Sequence, residues 1–192
     1  MATVGDVGYW IYLRLMAKPR RVYLVAMWTL CGELRELYAP WIGAGDETLM
    51  TSTMDLVRDA AIGGETGETA VRGLELSEAW EDFRRTHRAG APGGLVNTWA
   101  TFAGLAAEIG GLAGEGAGAQ WVINAAEARW RDWSRLGPIL VNTEHAEELI
   151  ESSPLGQTFE VFYRVVTRVS RLVSPEWDPV RIRAAIFPQT DG

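Results

Sequence analysis

A chain of 192 residues, 47% hydrophobic and 22% charged, has the composition of an ordinary soluble protein and can bury roughly 70% of its unfolded surface in one domain. Its net charge of −7 comes from the middle: residues 39–128 hold thirteen acidic and five basic side chains, whereas 1–38 carry a small positive excess and 129–192 are nearly balanced. That field repels phosphates, so nucleic acid is not an expected partner, and it attracts a basic one. The single cysteine, Cys31 in "VAMWTLCGEL", rules out an internal disulfide framework and points to a reducing compartment, with the thiol buried and inert.

No segment reads as a secretory signal or a membrane span. "PRRVYLVAMWTLCGEL" places a basic pair before an apolar run but lacks a small-residue cleavage site. The charge-free stretch from Gly90 to Ala107 is interrupted by Pro92, Gly93, Gly94 and Asn97. A cytoplasmic location without membrane partners is therefore expected. Seventeen of the 18 basic residues are arginine, a bias that fits a GC-rich bacterial coding sequence.

Helical periodicity runs along the chain. Pro19 suits a first helical position, and Tyr23, Ala26, Met27, Leu30, Leu34 and Leu37 follow as a stripe. Between Val22 and Cys31 this helix is apolar on every side, which predicts a central position. Pro40, Gly43 and Gly45 end it, and Asp46 is the predicted cap of a second helix, buried through Leu49, Thr53, Leu56, Val57 and Ala60. A third helix is expected over 68–88, with Leu76, Ala79, Trp80 and Phe83 inward and Glu78, Glu81, Asp82, Arg84, Arg85 and Arg88 on a solvated face. Helices near 95–109 and 118–135 flank the glycines of "GGLAGEGAGAQW". After an extended "ILVN", Thr143 caps a short helix, Ser153-Pro154 opens one reaching about 173, and Asp178-Pro179 starts the last. The expected architecture is all-α, a single-domain bundle of about six to eight helices spanning 1–192, with Gly/Pro-rich turns.

The glycine-rich stretch from 110 to 121 is the one segment that imitates a nucleotide loop. A dinucleotide fingerprint needs a preceding strand and a third glycine at fixed spacing. Here "TFAGLAAEI" leads in as a helix, Gly114, Gly116 and Gly118 are followed by Ala, Gln and Trp, and no Gly-Lys-Ser/Thr appears. Glu115 would also repel a phosphate. The stretch is read as a turn, with small residues at 103, 107 and 111 available for close helix approach.

Other chemistries lack their residues. His87 sits in a last helical turn, where a cation complements the helix dipole, and His145 has Glu144 beside it and Glu148 three residues on. Neither histidine follows a glutamate by three, as a di-iron bundle would require. Gly-x-Ser-x-Gly is absent. The carboxylate pairs Asp55/Asp59 and Glu78/Asp82 suit exposed faces, and no catalytic residue, metal or cofactor is expected. A helix-turn-helix at Gly63-Gly64 would begin its second helix with Glu65 and Glu68, poor neighbours for DNA. The binding candidates are the acids Glu78, Glu81 and Asp82, the basic stripe carrying Arg164 and Arg168, and Trp177 between Pro175 and Pro179.

"LVAMWTLCGELRELYAPW" followed by "DETLMTSTMDLVRDAAIGG" resembles the opening helices of small all-α immunity proteins, which neutralise toxins in bacterial competition. The resemblance implies an all-α fold and a protein partner, and it carries no site residues. Two functions are thus expected in turn. The first is a non-catalytic interaction module, an immunity-type inhibitor in one form, binding a basic partner through an acidic helical surface. The alternative is a small-molecule-binding protein or enzyme with a tryptophan-lined pocket between helices.

Overall fold

The structure, a computed structural model, describes residues 12–131 and Val165. Among them every assigned element is helical. A short helical segment at 12–16 leads into α1 (Arg20–Tyr38), a 3-10 turn (Ala39–Trp41), α2 (Ala44–Gly63), α3 (Gly67–His87), α4 (Gly93–Ile109) and α5 (Ala117–Arg131). The protein is all-α over this span. The predicted extended "ILVN" and the three helices expected after it lie outside the described residues.

α1 occupies the predicted central position. Tyr23, Leu24, Val25, Ala26 and Met27 are consecutive and all buried, which requires neighbours on every side of the helix. α4 is buried in the same way through Thr98–Phe102 and packs against each of the other four helices. Hydroxyls in this interior are satisfied locally: Thr29, Thr53, Thr98 and Thr101 each donate to the carbonyl four residues earlier. Burying them therefore leaves no unpaired donor.

Two tryptophans tie the layers together. Trp80 of α3, fully buried, donates its indole N–H to Thr53 Oγ1 at 2.9 Å, and Trp99 of α4 donates to Asp46 Oδ2 at 3.1 Å. Phe83 stands edge-on to both rings. Asp46 departs from the expected capping role. The helix starts two residues before it, at Ala44, and its carboxylate reaches back from inside the first turn to the Gly43 N–H at 2.7 Å. Its second oxygen is thereby free to receive Trp99 in the core. Thr66, not singled out beforehand, caps α3 by accepting from the Thr69 N–H.

Glycine sets how closely α4 is approached on two sides. A Cβ on Gly73 would lie 2.5 Å from the Gly110 nitrogen and 2.8 Å from the Ala106 carbonyl oxygen. One on Gly104 would lie 2.9 Å from the Gly118 nitrogen. The close glycine contacts thus involve Gly73, Gly104, Gly110 and Gly118, whereas Gly111, one of the small residues expected to serve, has nothing within 4 Å of an added Cβ. A methyl group aimed at backbone cannot be relieved by a rotamer change. Gly73→Ala is expected to lower unfolding free energy by about 2 kcal/mol or more. Gly67→Ala, with nothing within 4 Å of its added methyl, is expected to be neutral or slightly stabilising. Urea denaturation of the two variants checks the contrast.

Candidate functional site

The glycine-rich segment forms the turn expected of it, and it also encloses an anion. α4 ends in a Schellman motif: Gly111 adopts φ 74°, its N–H reaches the Glu108 carbonyl, and the Leu112 N–H reaches that of Ala107 at 2.8 Å. The chain then returns so that the start of α5 faces the Glu108 side chain. That carboxylate, buried, accepts from the Gly116 N–H at 2.8 Å and the Gly118 N–H at 2.9 Å. It also accepts from Tyr23 Oη at 2.8 Å and Arg20 Nη1 at 3.1 Å, both from α1. The arrangement is that of a phosphate loop, with amides at a helix N-terminus facing a negative charge, but the charge belongs to the protein. Sequence reasoning passed over Glu108, and no local signal marks it, because Arg20 lies 88 residues away.

The electrostatics follow from this burial. The Arg20 guanidinium loses solvation, which alone would lower its pKa, yet Glu65 and Glu108 outweigh that and hold it above its ordinary value. Glu65 takes the outer edge of the same guanidinium through Nε at 3.0 Å and Nη2 at 2.6 Å. Burial, then the neighbouring Glu108 charge, pushes the Tyr23 phenol up. Burial alone pushes up the Cys31 thiol.

The remaining acids sort by whether a cation meets them. Arg35 pairs with Glu47, Arg58 with Asp55 and Asp59, and Arg72 with Asp59 at 2.9 Å. The bond from Arg72 draws the Asp59 pKa down. Of the predicted site residues, Glu81 has Arg84 at 4.0 Å and Asp82 has Arg85 at 3.1 Å, whereas Glu78 pairs with no described cation. Glu68, Glu75 and Glu115 are alike in this. Glu68, Glu75 and Glu78 recur at helical spacing along one exposed stripe of α3, with Val71, 54% exposed, between the first two and Asp82 continuing the line. The structure therefore brings Glu78, Glu81 and Asp82 onto one helix and adds Glu68 and Glu75. Trp177, Arg164 and Arg168 lie outside the described residues.

His87 stacks on Phe83 with ring centroids 4.1 Å apart, its Nδ1 2.9 Å from the Phe83 carbonyl oxygen. This ties it to the end of α3. Among the described residues no group of three or more His, Cys, Asp or Glu side chains could hold a metal ion, and no helix is long and apolar enough to cross a membrane. A groove of about 620 Å³ opens between α1, the 3-10 turn and α2, lined by Trp28, Gly32, Arg35, Ile42, Glu47 and Met54 among others. Trp80 and Trp99 belong to the core instead. Compared with known protein families, curated proteins and solved structures, the chain has no match.

Two predictions test the buried network. Glu108→Gln keeps the shape but turns an amide group toward donors, and is expected to cost about 2–4 kcal/mol with loss of hydrogen-exchange protection at Gly116 and Gly118. Glu65→Gln, at the solvent edge, is expected to cost less than about 1 kcal/mol. Chemical denaturation and amide exchange provide the readouts. The raised pKa values of Tyr23 and Cys31 mean that the unfolded chain releases these protons first. The stability they confer is complete below their ordinary values of 10.0 and 9.0 and is lost as pH rises beyond them. The expected slope is about 1.4 kcal/mol per pH unit for each group. Denaturation midpoints between pH 8 and about 11 check this, and Tyr23→Phe should remove one group's share of the slope.

Proposed function

We propose that the chain is a non-catalytic protein-interaction module that receives a basic partner on the outer face of α3. An immunity-type inhibitor is the form suggested by the resemblance of its opening helices. One observation carries the reading. Of the twelve acids between 39 and 128 whose side chains are described, eight are met by a cation or, like Asp46, by N–H donors. Glu68, Glu75 and Glu78 stay solvent-facing and unpaired on one stripe of one helix.

Glu68 has a structural use, since an acid in a first turn complements the helix dipole. Glu75 and Glu78, in mid-helix, have no such use, and carboxylates three residues apart repel. Their cost to folding is offset once a cationic surface lies against them. From Glu68 to Asp82 the stripe spans about 21 Å at helical rise, long enough for a partner helix presenting Lys or Arg at matching spacing and an apolar side chain against Val71. Association should then be steered by charge and weakened by salt.

The test uses the wild-type protein and a Glu68→Gln/Glu75→Gln/Glu78→Gln variant. A partner recovered from the source cells at low salt is purified, and its affinity for both proteins is measured at two ionic strengths. The expected result is a basic partner, bound about tenfold or more tightly by the wild type at low salt, with the gap closing as salt rises. The variant should melt close to the wild-type temperature, the lost helix-dipole contribution of Glu68 offsetting the relief of repulsion between Glu75 and Glu78. An acidic partner, or an affinity indifferent to both salt and the substitutions, would overturn the proposal.

A further inference from the structure

We draw no further inference here: the strongest candidate, the groove between α1 and α2 floored by Trp28 and Met54 and crossed by the Arg35–Glu47 ion pair, carries none because nothing in the structure shows what covers it.

Discussion

The buried Glu108 carboxylate is the constraint on which the arrangement of α1, α4 and α5 depends. An unpaired charge in a protein interior costs several kcal/mol, so such a group survives only when its oxygens are fully supplied with donors. Here the donors come from both neighbouring helices: Arg20 and Tyr23 from α1, and two amides at the start of α5. None of the four can be withdrawn without leaving the charge short, so the positions of three helices are set relative to one another. Arg20 extends the linkage to the turn between α2 and α3 through Glu65, and its guanidinium also lies over the Tyr23 ring, 5.2 Å from the centroid. Apolar packing alone would tolerate small slides of these helices. A carboxylate with directional partners does not.

Much of the helical layout was legible in the sequence because it rests on short-range signals. The Pro40 stop, the all-round apolar stretch of α1 and the Glu81–Arg84 and Asp82–Arg85 pairs of α3 act within a few residues, and the structure reproduces them. Pro19 stands just before α1 as its N-cap rather than at the first helical position. What could not be read has partners far along the chain. Glu108 stands in "LAAEIGG" like any acid near a helix end, and only folding brings Arg20 to it. Asp46 carries a correct cue for a helix start, but the structure sets it inside the first turn, and its core partner Trp99 lies 53 residues on. Gly73 and Gly110 look like a weak helical position and a helix stop. Their contact with each other is a property of the packed pair.

The site candidates divide along the same line. Glu78, Glu81 and Asp82 could be placed on an outward face because helical spacing decides it. Which of them keeps its charge unneutralised is decided by rotamers and by neighbouring arginines, so Glu78 separates from Glu81 and Asp82 only in three dimensions. Net charge by segment was a still coarser guide. The excess negative charge between 39 and 128 is not spread over the surface: two of its acids, Asp46 and Glu108, are buried, and several more are neutralised across helices by Arg20, Arg35 and Arg72. Among the described residues, what remains is confined to a stripe and a loop residue. A charge total therefore says less about a partner than the pattern left after internal pairing.

Gly118 shows how these demands meet at one residue. Its amide donates to Glu108, and a side chain there would place Cβ 2.7 Å from Leu105 Cγ and 3.1 Å from Glu108 Oε2. Gly116, with φ 92°, donates its amide from a backbone conformation that residues with a Cβ rarely adopt, and Tyr12 and Met16 close over it. Two of the glycines that suggest a nucleotide loop, Gly116 and Gly118, are accounted for by an internal anion and by the closeness of α4 and α5. Because that carboxylate already fills the N-terminus of α5, an external phosphate would have to displace a charge held by four donors. The proposed recognition is therefore assigned to the outer face of α3, where the charge left after folding is still open to solvent.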